Sequence, residues 1–444
     1  MKKFIGIFIL VSIAAVCLNA QHREADSSVN LRRIQAQLSA LQSLVDSITA
    51  VNENSSVHEE DLEAVEERME KQFSEVENKI ASISRSTAPI ILNPRITTFI
   101  NFAARVDNKN VLDETGTIPI HNRPFLRTVE LELGAPVDPY ADAVTILSVE
   151  DEAGTGFAID AEEAYVNIKR LPIIESAPLG VKLKIGKFRA PFGINNSIHL
   201  HDLPWTTRPL PIAKYLGTEH GEFFESGFNT AGAEADFFLP SFHSSSAIEM
   251  KLALMRSGEI GMAQGTAGNN PPLVGRLGFS QEWNNEQLLL LGVSGYHEPG
   301  NHSTQLIGAD VTYKWAPIEK RESRSFVVGG ELFAGSRSAP DTAGRKTTIK
   351  PFGGFAYAQY QFSYWTYFGL RYDWLQEPSD AALITKAAAA YISYYTTEFL
   401  RFRLGVEHKQ SDLLAPKFNN VTSIIFDVNV VFGSHPVEPY WVNR

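Results

Sequence analysis

From Arg95 onward, apolar and polar residues alternate with a period of two in run after run. Over 95–106, Ile96, Ile100, Phe102 and Val106 share one face of an extended segment, and Thr97, Asn101 and Arg105 share the other. Val181, Leu183 and Ile185 set against Lys182 and Lys184 repeat the scheme. So do Ile424, Phe426, Val428, Val430 and Phe432 against Asp427 and Asn429. The alternation predicts strands near 95–106, 123–135, 142–151, 158–170, 178–188, 226–240, 244–256 and 271–283. Further strands follow near 286–297, 304–316, 323–335, 348–360, 363–375, 386–396, 398–410 and 419–432. Short connectors at 135–140, 283–286, 361–362 and 396–397 are separated by longer ones, the longest spanning 189–225. About 16 strands, an even number, with short and long connections in turn, predict an all-β transmembrane fold: an antiparallel outer-membrane β-barrel. A soluble sandwich or solenoid competes. It leaves unexplained the aromatics near strand ends, Trp365, Tyr372, Trp374, Tyr394 and Tyr395, where a barrel places its interfacial girdle.

Upstream the period changes. Leu31, Ile34, Leu38, Leu41, Val45 and Ile48 step by three and four, a heptad seam on an α-helix. After a polar break at 52–56 the seam resumes with Leu62, Val65, Met69, Phe73, Val76, Ile80 and Ile83, and the Met69 to Phe73 step is a stutter. Ser56 and Glu59 match a capping box, so a second helix folding back as a hairpin is the alternative to an α-helical coiled coil between chains. Pro89 and Pro94 end the helical pattern. At the start, Lys2 and Lys3 precede an apolar stretch from Phe4 to Val16, and Leu18-Asn19-Ala20 suits signal-peptidase cleavage. That stretch is short of the roughly 20 residues a membrane-spanning helix needs. Val16 before Cys17 argues against lipid attachment. The expected division is a signal peptide at 1–20, a periplasmic coiled coil at 21–88 and the barrel at 89–444.

Composition narrows the classes. Cys17 is the only cysteine, so the mature chain offers neither disulfide nor thiolate ligand. Cleavage removes two lysines and takes the net charge from −11 to −13, which makes nucleic acid an unsuitable partner. No later apolar run reaches 18 residues, so membrane helices are excluded. The near-neutral mean hydropathy of −0.12 is what alternating strands give.

Candidate chemistry lies on the polar strand faces and in the longest connection. Arg105, Lys169, Lys182, Lys184, Arg371, Arg401 and Arg403 stand among Glu130, Glu132, Glu163, Asp373, Glu407 and Asp427. Facing basic and acidic ladders would set a transverse field across a water-filled lumen; the plainer reading is a solvated polar interior. The long connection carries Gly186 to Gly193, Asn195-Asn196, His199, His201-Asp202-Leu203-Pro204 and Arg208-Pro209. Folded inward, it would bring Lys187, Arg189 and Arg208 to a constriction and favour anions there. His199, His201 and Asp202, with His220 and Glu222, suit zinc by type. No third histidine stands at close spacing, and the reading adopted is a loop held by its own hydrogen bonds, without metal or cofactor. The Gly-x-Ser-x-Gly elbow is absent and no nucleophile can be singled out, so no enzyme is expected.

The stretch from Gly186 to Pro209, together with Phe432-Gly433-Ser434-His435-Pro436, resembles porin-like outer-membrane proteins related to the phosphate-selective porins. Some members bear the label zinc-regulated TonB-dependent outer membrane receptor. A receptor of that type has a 22-stranded barrel plugged by a globular domain, for which the region before Arg95 is too short. In porins of this size the third external loop typically folds into the lumen, and trimers are common, which favours an intermolecular coiled coil. The resemblance implies the fold, the outer-membrane location and a transport role; an unplugged barrel supports passive diffusion of small hydrophilic solutes, and Lys187, Arg189 and Arg208 make anions the candidate class, through a homotrimer in outer-membrane lipid. A zinc-linked uptake protein and a tether between outer membrane and cell wall are the alternatives.

Overall fold

Period-two alternation becomes a closed wall in the computed structural model. It describes residues 94–109, 123–151, 157–170, 178–217, 227–263, 270–300, 303–320, 322–340, 346–413, 419–434 and 441. The signal-peptide and coiled-coil expectations, and those on His220 and Glu222, lie outside these residues.

The strands are β1 (Arg95–Asp107), β2 (Arg123–Pro136), β3 (Ala141–Asp151), β4 (Phe157–Ile168), β5 (Lys182–Arg189) and β6 (Asn229–Leu239). Then come β7 (Ser246–Met255), β8 (Leu273–Trp283), β9 (Gln287–Glu298), β10 (Thr304–Trp315), β11 (Ser325–Pro340) and β12 (Lys346–Ile349). Last are β13 (Phe352–Gln361), β14 (Thr366–Gln376), β15 (Ile384–Thr397), β16 (Leu400–Ser411) and β17 (Asn420–Gly433). Each pairs antiparallel with its chain neighbours, and β1 pairs with β17 from Thr97↔Gly433 to Asp107↔Ser423, which closes the sheet. β12 pairs only with the far end of β11, while β11 itself continues onto β13, so sixteen strands make the wall.

Alternation sorts the faces as expected. On β17, Val421, Ser423, Ile425 and Asp427 are buried inside, while Ile424 and Phe432 are half exposed outside. Trp365, Tyr372 and Tyr394 are exposed. Tyr395, expected in the girdle, is buried instead and packs edge-on against Tyr367, because period two puts neighbours 394 and 395 on opposite faces. β5 starts at Lys182, later than the run near 178 suggests, since Leu179 and Gly180 adopt positive φ of 58° and 61° in a turn. In the tight turn after β8, Asn284 and Asn285 both take positive φ, 53° and 56°, the geometry that matches strand twist in a two-residue hairpin.

Register shifts break the alternation at three places among the described residues, one of them at Tyr395 and Thr397 of β15 beside its turn, the other two within the wall. Asn101 pairs with Thr128 and Phe102 with Leu126, leaving Arg127 as the extra residue; Ile146 pairs with Glu163 and Leu147 with Ala161, leaving Glu162 extra. A bulge re-aims a side chain, and here buried Arg127 joins Thr128 and buried Glu162 joins Glu163.

Candidate functional site: a loop docked inside the barrel

Between β5 and β6, the described residues 190–217 and 227–228 are not a solvated loop. Phe192, Leu203, Trp205, Ile212, Tyr215 and Leu216 are at most 1% exposed, in one apolar cluster with wall residues such as Val274, Leu306, Phe333 and Phe355. Its chain is three short helical turns, Asn195–Ser197, Leu200–Asp202 and Ile212–Leu216, which use up backbone groups locally where no strand partner exists. Asn196 clamps the neck: its Nδ2 donates to the carbonyls of Ala190 and Phe228, and Phe228 N donates to its Oδ1.

The charged ladders are present, and their partner is this loop. Four wall arginines each donate to a loop carbonyl: Arg401 to His201, Arg403 to Leu203, Arg127 to Thr206 at 2.7 Å and Arg371 to Thr207. Acidic residues complete them. Arg403 Nε donates to Asp427 at 2.8 Å, and Arg371 meets Asp373 at 2.9 Å and Glu407 at 3.1 Å. Carboxylates also take the loop's N–H groups directly. Glu331 accepts from Ile194 N, Asn195 N and Asn195 Nδ2, and Asp373 accepts from Leu210 N. Hydrogen bonds to charged groups contribute roughly 1.5–3 kcal/mol each, so the array fastens the loop rather than merely crowding it.

Two glycines make the fit possible. Gly193 turns at φ 64°, and a Cβ there would fall 2.1 Å from Glu331 Oε2. Gly405 on β16 leaves room for Thr206, whose hydroxyl would be 2.7 Å from an added Cβ.

The sequence-derived residues therefore separate into groups. Arg371, Arg401 and Arg403 dock the loop, whereas Arg105 bonds Asp107 and Ser423 further along the wall. Arg208 staples the loop internally, donating to Asn195 O and Ile198 O. Arg189 pairs with Glu162 and lies 3.7 Å from Glu163. Both are buried, Arg189 against a carboxylate and Arg208 against backbone carbonyls, so neither presents a bare charge to solvent. Lys187 stays apart from this network and pairs with Asp160 at 2.7 Å, both groups well exposed. Lys169 pairs with Asp142. Lys182 and Lys184 lie on β5 opposite Asp236 and Glu234, and with Glu249 and Lys251 they form a partly exposed polar patch beyond the docked loop. Arg127, Glu162, Glu331 and Trp205 were not legible as docking residues; only the phase slips at the bulges signal the first two.

Beside the arginine array lies an imidazole pocket. His201 Nε2 is 3.0 Å from Glu130 Oε2, and His199 Nδ1 is 3.1 Å from the same oxygen. His199 Nε2 meets Glu163 Oε1 at 2.9 Å, and His201 Nδ1 meets Asp202 Oδ1 at 3.2 Å. Burial disfavours a charge on either ring, and Glu130 more than offsets it. His199 is held well above the usual imidazole range and His201 is pushed up to about 10. Burial likewise opposes ionisation of Asp202, but the neighbouring imidazoles, His201 foremost, pull its carboxyl below the ordinary value.

No protein-family model matches the chain. An uncharacterised protein of Aquifex aeolicus (strain VF5) is 26% identical over 357 residues, covering 71% of this chain and 70% of its own. Among solved structures, the anion-selective porin from Comamonas acidovorans superposes with a TM-score of 0.50 at 10% identity, over 77% of this chain and 99% of the porin. The outer membrane channel DcaP of Acinetobacter baumannii gives 0.49 at 9% identity, over 77% and 97%. The barrel has the fold of the Comamonas porin, a closed antiparallel wall of sixteen strands.

Proposed function

We propose that this porin-type barrel sits in the bacterial outer membrane and passes small hydrophilic solutes by diffusion, with the docked segment 190–217 as its constriction. The observation that carries this is the row of four arginines, from β2, β14 and β16, bonded to consecutive parts of one loop. A loop fixed this firmly inside a barrel narrows the path permanently and defines its shape. Solute then passes along the wall the loop leaves wet, where Lys182, Lys184 and Lys251 face Glu234, Asp236 and Glu249. Anions, the class expected from the basic residues of the long connection, would be drawn by those lysines in place of Arg189 and Arg208.

The test is single-channel recording in a planar bilayer. The intact protein should show steady open steps, and replacing 194–216 by a short Gly-Ser linker should raise conductance several-fold. A reversal potential under a salt gradient reads the sign of selectivity, and Lys182→Gln with Lys184→Gln should shift it toward cations. Equal conductance with and without the loop, in a folded barrel, would place the constriction elsewhere.

A further inference from the structure

The imidazole pocket does more than fill space. Two loop histidines converge on one oxygen of Glu130, and each ring turns its other nitrogen to a separate carboxylate, Glu163 for His199 and Asp202 for His201. A metal-bound imidazole almost always carries such a carboxylate on its far nitrogen, which fixes the tautomer and strengthens the donor. Here it is complete at His199, whose Nε2 hydrogen-bonds Glu163, and at His201 the Asp202 carboxylate stands 3.2 Å from Nδ1 without a hydrogen bond.

The inner geometry agrees. One ligand atom each of Glu130, His199 and His201 lie within 4.8 Å of one another, and Glu130 Oε2 stands 3.1 Å from His199 Nδ1 and 3.0 Å from His201 Nε2. Zn–N and Zn–O bonds of about 2.0–2.1 Å in a tetrahedron put neighbouring donors roughly 3.3 Å apart. His199 Nδ1 is buried and makes no hydrogen bond among the described residues, although Glu130 Oε2 is close. A ring nitrogen that misses so near an oxygen is aimed beside it, as two ligands of a shared ion are. Glu162 Oε1, 3.5 Å from His199 Nδ1, is the next oxygen and can complete the set or yield to water.

We infer that Glu130, His199 and His201 bind a divalent transition-metal ion, zinc by its donor set, that displaces the protons on the two facing ring nitrogens and clasps the docked loop to β2. Glu163 and Asp202 are positioning residues that orient the two rings. Glu130 belongs to the wall and both histidines to the loop, so the ion bridges the parts whose separation would widen the lumen. Arg401, which donates to the His201 carbonyl, holds the same turn from the other side. The site itself is independent of the channel reading; only its effect on permeation rests on that reading.

The experiment uses the full-length, untagged protein in detergent, stripped with a chelator and titrated with Zn²⁺ alone. One equivalent per chain should bind, and the double variant His199→Gln/His201→Gln should lose it. Asp202→Asn, which leaves all three donors in place, should weaken binding about tenfold, with barrel circular dichroism unchanged. Co²⁺ in the wild type should give the visible bands of a tetrahedral N/O site, absent from the double variant. Wild-type protein that takes up no more Zn²⁺ than the double variant overturns the proposal, whatever the variants do to folding. In bilayers, chelation should increase the flicker of open channels. A protein that binds zinc but never conducts retains the site and rejects the channel; one that conducts and ignores zinc does the reverse.

Discussion

Trp205 is where the apolar and polar parts of the docking meet. Its ring stands edge-on to Tyr357 at 4.7 Å and to Phe355 at 6.0 Å, and the Arg371 guanidinium lies 5.4 Å from its centroid. Truncating a buried tryptophan costs about 3–5 kcal/mol through lost contacts and the cavity left behind. That loss falls on the loop, because the barrel wall pairs strand to strand without it. Trp205→Ala should therefore insert normally, give noisier and larger conductance steps, and expose the loop to protease from outside. Arg403 tests the polar half. Its side chain and that of Asp427 are both 0% exposed, and Arg403→Leu leaves that buried carboxylate with only the Arg127 guanidinium, 3.7 Å away. Breaking such a pair costs about 3–5 kcal/mol, whereas Arg403→Leu combined with Asp427→Leu removes both charges and should recover most of the loss. Denaturant unfolding of the two variants checks this; equal destabilisation would mean that the carbonyl bond to Leu203, not the ion pair, dominates. His199, His201 and Asp202 were visible in the sequence as a group. Glu130 and Glu163 stood only among many lumen acids, because their approach to the histidines is made by strand pairing across distant parts of the chain.

Among the elements, β17 carries the clearest alternation, and its outer face ends on Phe432, 52% exposed and paired in register with Thr98. An acidic side chain at that edge meets lipid near the interface, where a charge costs on the order of 1 kcal/mol or less, against a few at the midplane. Phe432→Asp should reduce the folded fraction recovered from outer membranes several-fold while leaving conductance of the inserted molecules unchanged; wild-type recovery would show that this edge tolerates charge. Strand positions were legible because a barrel wall is a local pattern: one face in lipid, the other inward, and a turn wherever alternation stops. The bulges at Arg127 and Glu162 were legible in principle. Outward residues Leu126 and Val129 are three apart, as are Ala161 and Ala164, a slip of phase that a strict period of two passes over. The docked segment 190–217 is the opposite case, since its turns obey the wall they press against.

For the whole molecule, the prediction concerns assembly. The heptad seam from Leu31 to Ile48, next to a barrel of porin fold, favours three chains joined through their N-terminal segments. Cross-linking and native mass measurements should give a trimer, and deletion of residues 24–85 should loosen it without abolishing conductance. A stable monomer of the intact chain in mild detergent argues for the helical hairpin instead. Formal charge does not report the charge along the lumen, because Arg127, Arg371, Arg401 and Arg403 are bonded to the loop.

What the sequence by itself determined is the wall: sixteen strands, their faces and the order of long and short connections, because each rests on neighbours two residues apart. It also marked the connection that would be unusual. Only the tertiary structure decided what fills the lumen. The residues that grip the loop come from β2, β11, β14 and β16, up to about 200 positions from their partners, and closure of the sheet alone brings them to face one another. A ladder of charges reads the same in sequence whether water or a folded segment lies opposite. The difference arises when apolar side chains such as Trp205 and Leu203 leave water for the barrel interior and bring backbone carbonyls that the arginines must satisfy.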